Sequence, residues 1–431
     1  VSRISIKIMK NRRVVVTGMG VVAPNAIGVN DFEQALKESR SGIRFIPELK
    51  ELNFACQVGG IPPLKEETIA KYLSPLQVKQ IKATGIVYGL VAGKEAWENA
   101  RLPFESETTR WDTGCIFGSG LAGIAKIREG IYQVDEGKVK RLGSTMVEQT
   151  MPSGISAYLA GELHLGNQVT TNSSACSTGN EAILMAYERI KLGKANRMLA
   201  GSCDDHGPYV WGGFDSLRVL NRKMNDKPEE ASRPMSESAA GFVPGSGAGA
   251  LVLEEYETAK ARNATIYAEI LGGDLNAGGQ VNGGSMTSPN DEGVVRCIQN
   301  AMENAGITRD DVDLINGHLT ATGNDSKEIA NWAKALKRSG FNFPLVQSTK
   351  SLIGHCLSAA GSIESVAVVL QLHKQFSHSS VNCEDLNNEI LQVIEKKKVT
   401  IDNLNDNINI IIKSGFGFGD VNSVVVWKRY E

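Results

Sequence analysis

Several things are scarce in this chain, and each scarcity removes a class of protein. No apolar run approaches the roughly 20 residues of a membrane-crossing helix, which excludes a helical membrane protein. No basic surplus exists: 46 Lys and Arg face 48 Asp and Glu, a net charge of −2. A general nucleic-acid binder would carry a positive excess, so that class drops out. The seven cysteines, at 56, 115, 176, 203, 297, 356 and 383, are odd in number and form no C-x-x-C pair. That argues against a disulfide framework or a zinc site and for free thiols in a reducing cytoplasm. Residues Val1 to Lys10 have no apolar core of a leader peptide, so no secretory signal is expected. The pattern G-x-x-x-x-G-K-[ST] is missing, which excludes a P-loop. Histidines number six and aromatics make up 6%. A histidine placed beside a strand end therefore stands out.

What is present is ordinary globular material, 42% hydrophobic and 22% charged in 431 residues, ample for a large core. Apolar runs alternate with helical patterns along the chain. Strands are predicted at 13–17 (ended by Gly18 to Gly20), 114–117, 169–172, 197–200, 265–271, 312–315, 345–347, 408–412 and 423–427. Two more are expected around the glycine-rich turn within 241–254. Helices are predicted over 31–39 with Asn30 as cap, 75–100 as one long helix, 124–134, 153–163, 180–192, 293–305, 326–337 and 360–375, with 203–240 irregular. This alternation implies an α/β fold with buried sheets. The order of elements in residues 11–262 is roughly repeated in 263–431, and no Pro/Ser linker separates the two halves.

Four segments carry chemistry. The apolar strand before Ser174-Ala-Cys176 delivers a cysteine to the first turn of a helix. There, unpaired N–H groups and the helix dipole are expected to lower its pKa and make it a nucleophile. Asn316-Gly-His318 and Lys350-Ser-Leu-Ile-Gly-His355 each place a histidine just past a strand, where ligands of α/β sheets bind. Two imidazoles beside one cysteine suit acyl transfer, with the cysteine attacking and the imidazoles donating to an oxyanion. Metal binding by the pair is disfavoured because no third ligand has suitable spacing. In Gly415-Phe-Gly-Phe-Gly419 the glycines free backbone N–H groups to face a ligand, and Phe416 or Phe418 would line an apolar channel. Gly118-Ser-Gly-Leu-Ala-Gly123 matches a dinucleotide fingerprint. It lacks the acidic residue about 20 positions on that such a site needs, and it lies far from the first strand.

The ordered set Ser174 to Cys176, Asn316 to His318, Ser348-Thr-Lys350 through His355, and Gly415 to Gly419 resembles the elongating type II β-ketoacyl-acyl-carrier-protein synthases. These are condensing enzymes of the thiolase superfamily. The likeness runs from Val14 to the last strand and includes Ser232-Arg-Pro234, Gly241-Phe-Val243, Gly247-Ala-Gly249 and Ala359 to Glu364. It implies two similar halves, 11–262 with the nucleophile and 263–431 with the histidines, in a five-layered α-β-α-β-α core. It implies Cys176 as acyl carrier, His318 and His355 as the groups that decarboxylate malonyl thioester, and the N–H groups of Cys176 and Phe418 as oxyanion hole. Phe418 would also act as gate, Lys350 and Glu364 would orient the histidines, and Leu121 and Phe416 would line the acyl pocket. Arg218, with Arg222 and Lys223 nearby, would meet the acidic acyl carrier protein. The resemblance further implies a homodimer (or a heterodimer with a related subunit), no metal and no cofactor beyond the carrier's phosphopantetheine arm.

Three departures are visible. Leu319 follows His318 where the family has glycine. Asp420-Val421-Asn422 stands where Gly-Thr-Asn is usual, and Met235 to Ala240 lacks the usual Asp, Arg and Asp. These leave room for a specialised enzyme of a polyene, aryl-polyene or polyketide pathway. A silent chain-length partner would lack Cys176. A thiolase would need a second cysteine in the last loop, whereas Cys383 lies well before it. Leucine after His318 implies either a φ open to any residue or a shifted loop, with the side chain against the active-site wall.

Overall fold

The computed structural model describes residues 12–403 and 407–431; the reading of Val1 to Lys10 falls outside them. Ten strands carry the architecture. The first five are β1 (Val14–Ala23), β2 (Thr113–Ser119), β3 (Val169–Thr170), β4 (Arg197–Asp204) and β5 (Gly247–Glu255). The second five are β6 (Ala268–Ala277), β7 (Leu314–Asn316), β8 (Leu345–Gln347), β9 (Ile410–Gly417) and β10 (Val421–Arg429). The spatial order is β8-β7-β9-β10-β6-β1-β5-β4-β2-β3, with the short strand Ala26–Ile27 added beside β1. Each set of five is thus ordered first, fifth, fourth, second, third. The pairing senses also match: antiparallel, antiparallel, parallel, parallel. The two half-sheets join through β1 and β6, where Val14 to Val16 pair with Ala268 to Ile270.

Alternation along the strands explains the layers. In β5, Ala248, Ala250 and Val252 face one apolar cluster and Leu251 and Leu253 another. In β10, Val425 and Trp427 share the second of these clusters, while Val424 and Val426 face a third. A period of two with both faces buried is what helices on both sides of a sheet demand. The outer layers hold α1 (Thr84–Asn99) and α2 (Gly154–Glu162) on the first half-sheet, and α4 (Asp291–Ala305) and α5 (Asn324–Leu336) on the second. Between the half-sheets lie α3 (Thr178–Lys191) and α6 (Ala360–Lys374), so the core has the five layers α-β-α-β-α. The central helices touch through glycine. A Cβ on Gly179 would stand 2.4 Å from the Ser362 nitrogen, and one on Gly361 2.6 Å from that of Asn180.

Several expected elements are corrected. The helix over 75–100 is two, Pro75–Gln80 and α1, because the amides of Lys82 and Ala83 donate to the Gln149 side-chain oxygen instead of continuing the helix. The helix near residue 31 starts at Val29 with Gly28 as its cap, so Asn30 lies inside it. β1 does not stop at Gly18; it continues to Ala23 past a bulge, and Gly18 and Gly20 let α1 approach, since side chains there would strike the carbonyls of Ala96 and Ala92. Residues 241–254 hold one strand, not two. The strand begun near 265 runs through Gly272-Gly273 to Ala277, and the stretch 203–240 contains a helix, Pro208–Ser216.

Candidate active site

The duplicated topology brings the chemistry together. In each half the connection from the third strand to the central helix passes the same place. In the first half it carries Cys176 between β3 and α3; in the second it carries Lys350 and His355 between β8 and α6. Because α3 and α6 meet at their N-terminal ends, these two connections meet too. Ala175 adopts a left-handed φ of 49°, a turn that turns Cys176 out of line at a cost of about 1–2 kcal/mol.

The His355 Nε2 lies 3.1 Å from the Cys176 sulfur, and His355 Nδ1 accepts the Leu357 N–H at 3.2 Å. That N–H fixes the neutral tautomer, so Nε2 carries the proton and donates into the cavity. His318 stands edge-on to His355 with ring centroids 5.3 Å apart, and its own neighbour on the far side is Phe416. Burial holds both imidazoles well below their usual pKa, and the ammonium of Lys350 adds to this. Both rings are therefore neutral donors at neutral pH.

The β9–β10 turn completes the group. Gly419 and Asp420 take positive φ, and the Phe418 N–H is directed at the Cys176 sulfur. A Cβ on Gly417 would sit 3.1 Å from the Cys176 nitrogen. The backbone at 417–418 thus lies against that of Cys176, as a two-donor oxyanion hole requires. Behind the histidines, Lys350 and Glu364 form an ion pair at 2.6 Å, both essentially without exposure. A cavity of about 150 Å³ opens from these groups, walled by Cys176, both histidines, Phe242, Phe416 and Phe418 and continued by Val219, Thr320 and Thr322.

The expected lowering of the Cys176 pKa does not occur. Burial pushes the thiol up to about 12, against the opposing pull of Lys350 and the Phe418 N–H. The helix begins at Thr178 with Ser177 as its cap, which leaves Cys176 outside the turn where the dipole acts most. Leu121 is also corrected: it is 41% exposed and does not line the cavity, whereas Phe416 does. Arg218 is exposed beside Val219 at the cavity mouth, but the Arg222 guanidinium turns inward to the Asp215 carbonyl. Leu319 sits at φ 25° with its side chain 1% exposed in the cluster of Ile315, Trp332 and Phe343. The backbone keeps the glycine-favouring region, and the leucine packs behind the wall rather than on it.

The glycine run at 118–123 makes a poor phosphate cradle, because amides in it and just after it are already engaged. Gly120 donates to Ser358, Leu121 to Asp204 and Ile124 to Asp205. The donor atoms of Cys176, His318 and His355 lie within 4.8 Å of one another. The cysteine and the two imidazoles thus converge on one point, but with Nδ1 taken by the Leu357 N–H and Nε2 protonated, His355 has no lone pair to give a cation.

Sequence reasoning missed three groups. Glu328 accepts the N–H groups of His318 and Leu319, and Asp325 those of Thr320 and Ala321, so two buried carboxylates at the start of α5 shape the histidine loop. Acidic residues seven and ten positions after the histidine were the available signal. The third is Lys413, buried in β9, which pairs with Glu364 at 2.7 Å.

Two family models match the chain: the β-ketoacyl synthase N-terminal domain over residues 11–259 and the β-ketoacyl synthase C-terminal domain over 267–384. The chain is 33% identical to 3-oxoacyl-[acyl-carrier-protein] synthase 2 of Vibrio harveyi, covering 98% of this chain and 99% of that protein. It is 32% identical to 3-oxoacyl-[acyl-carrier-protein] synthase 1 of Escherichia coli K12, covering 97% and 100%. Among solved structures, a β-ketoacyl synthase from Burkholderia phymatum superposes with a TM-score of 0.88 at 26% identity, over 97% of this chain and 100% of that one. A type II polyketide ketosynthase solved with its acyl-carrier protein and bound to the hexaketide superposes at 0.85 and 27% identity, with the same coverage.

Proposed function

The chain belongs to the β-ketoacyl synthase family, and from that premise we propose that it joins an acyl group held on Cys176 to a malonyl unit delivered by an acyl carrier protein. The observation that carries the assignment of residues is the 3.1 Å contact between Cys176 and a His355 whose tautomer is set by a backbone N–H. The Cys176 sulfur attacks the acyl thioester, the carbonyl oxygen rests on the Cys176 and Phe418 N–H groups, and the carrier thiol leaves with the proton. Malonyl thioester then enters. The Nε2–H groups of His318 and His355 donate to its thioester oxygen, the C–C bond to the carboxylate breaks, carbon dioxide departs, and the electron pair collects on the enolate. The enolate carbon attacks the acyl-cysteine and the Cys176 thiolate leaves, giving a 3-oxoacyl chain two carbons longer. No group beyond the carrier's phosphopantetheine arm takes part.

Lys350 and Glu364 act behind the histidines as positioning residues, and Phe418 as the movable wall over Cys176. Arg218 meets the acidic carrier. We divide the chain into halves 11–262 and 263–431 and assign it a homodimer. The dimer is supported by the open edge of β3 and by exposed apolar residues at Leu121, Ile131, Tyr132, Val139 and Val147. Seven unpaired cysteines support a reducing, cytoplasmic setting, and no helix among the described residues is long and apolar enough to cross a membrane.

The test is intact-mass analysis after incubation with acyl-carrier protein. Wild type should gain one acyl group on Cys176 and release it as a longer chain when malonyl-carrier is added. Cys176→Ala should gain none. Acylation at any other residue would overturn the reading.

A further inference from the structure

The Lys350–Glu364 pair is not closed. Glu364 presents one carboxylate oxygen to each of two lysines: Oε1 to Lys350 at 2.6 Å and Oε2 to Lys413 at 2.7 Å. All three side chains are 2% exposed or less. Two buried ammonium groups thus converge on one carboxylate beneath the active site, one more than it neutralises by itself. The placement follows from β9. Lys413 stands opposite Asn316 in register, two residues before His318, and β9 ends at Gly417, next to Phe418. The Lys413 ammonium also reaches the carbonyl of Ser414, whose hydroxyl donates to Glu328 at 3.3 Å, the carboxylate that holds the His318 loop.

We propose that Lys413 is a positioning residue of the condensation: its extra charge, held in place by Glu364, keeps His318 and His355 as neutral Nε2–H donors while anions form above them. This rests on the function proposed above. A buried cation is costly and is retained only where it is paired or useful. Glu364 needs a single lysine for neutrality; the second charge is balanced only with Glu328, the carboxylate that holds the His318 loop.

The groups that face this charge support the sign. Lys350 repels it, from the segment after β8, and Glu364 on α6 and Glu328 on α5 attract it. His318 and His355 are each pushed down by both lysines. His378 also faces Glu364 and is tied to Thr349 and Ser379. Cys176 faces Lys350 and Asp204. Removing one cation raises the histidine pKa values, and a protonated ring clashes with the Leu357 N–H that occupies His355 Nδ1.

The experiment compares wild type, Lys413→Met and Lys413→Arg. Each is assayed for malonyl-carrier decarboxylation and for Cys176 acylation by mass across pH 5 to 9, with thermal unfolding as the check on folding. Lys413→Met leaves the Lys350–Glu364 pair neutral, so it should fold. Its decarboxylation profile should lose its acid side, with the limb moved up by about 1 pH unit and the rate below it down about tenfold, the size expected for one nearby buried charge. Lys413→Arg should restore the wild-type limb. An unchanged profile in a folded Lys413→Met protein would overturn the proposal while leaving the function intact. A failure to fold in Lys413→Met, with Lys413→Arg folded but shifted like a neutral variant, would overturn it also. A wild type that never acylates Cys176 would overturn the function itself.

Discussion

Leu319→Gly is a perturbation whose outcome can be worked out from two opposing terms. The leucine side chain is buried among Ile315, Trp332 and Phe343, and it abuts Gly317, where a Cβ would come within 2.6 Å of its terminal methyl. Deleting a buried leucine to alanine costs about 2–5 kcal/mol through lost burial and the cavity left behind. Yet the backbone is at φ 25°, where a Cβ is itself unwelcome, and glycine recovers about 1–2 kcal/mol of that strain. The net expectation for Leu319→Gly is a loss of roughly 1–3 kcal/mol. The sharper expectation is an order: wild type most stable, Leu319→Gly next, Leu319→Ala last, even though alanine keeps one more carbon. Denaturant unfolding of the three proteins reads the order directly. Acyl transfer and condensation across saturated, unsaturated and aryl acyl carriers should give the same preference profile in all folded variants. A changed profile would return the leucine to the cavity wall, and alanine more stable than glycine would refute the strain.

Iodoacetamide should label Cys176 ahead of the other six cysteines, because its partly buried sulfur opens on the cavity while the others are closed in the interior. With the thiol pushed up to about 12, its rate should climb about tenfold per pH unit between pH 7 and 9, and a plateau at neutral pH would contradict the burial argument. His318→Ala and His355→Ala should each slow malonyl decarboxylation about 100- to 1000-fold, or about 2.7–4 kcal/mol, while sparing much of the transfer to Cys176; near-normal condensation in either would remove that histidine from the reaction. Arg218→Glu should weaken carrier binding most at low salt, with the deficit shrinking as salt rises, and equal affinities at low salt would dismiss this contact. Asp420 binds the amides of Gln280 and Asn290 and so ties the 278–290 loop, with its cavity residues Thr287 and Pro289, to the Phe418 turn. Asp420→Gly should speed hydrogen exchange across 278–290 by about tenfold or more, the worth of one charge-assisted bond, and unchanged protection would show the loop is held otherwise.

The parts of the site that were legible in the sequence are those whose chemistry demands a local pattern. A small-residue turn before Cys176, glycines at 415–419 and histidines just past strands are all visible in a few adjacent letters. What was hidden depends on partners far along the chain. The helix over 75–100 breaks because Gln149 captures two amides from 66 and 67 residues away. Lys413 is one charge in the run Ile-Ile-Ile-Lys-Ser, with nothing nearby to reveal that Glu364 awaits it. Leu319 invited a reading as a wall residue because it adjoins His318, yet adjacent residues on a turn point to opposite sides. The doubled architecture was legible only as an order of elements. Its proof is the shared strand order of the two halves, which no residue-level repeat betrays.

The thiol of Cys176 shows how magnitudes decide between two sound principles. A helix terminus does favour an anion, but it acts within the first turn and is worth about 0.3–1 kcal/mol at exposed sites. Withdrawing a charge from water acts on the whole group and can move a pKa by several units. At Cys176 the second effect wins, and the thiol rests near 12. At pH 7 the thiol is thus held protonated more firmly than a free cysteine. The resting thiol therefore reacts slowly at neutral pH, though still ahead of the six buried cysteines. On the function proposed above, the carrier thiolate released when the tetrahedral adduct collapses carries off the Cys176 proton, while the N–H groups of Cys176 and Phe418 hold the oxyanion. The proposed reaction therefore places activation of the cysteine in the complex with substrate and leaves the neutral histidines for its second half.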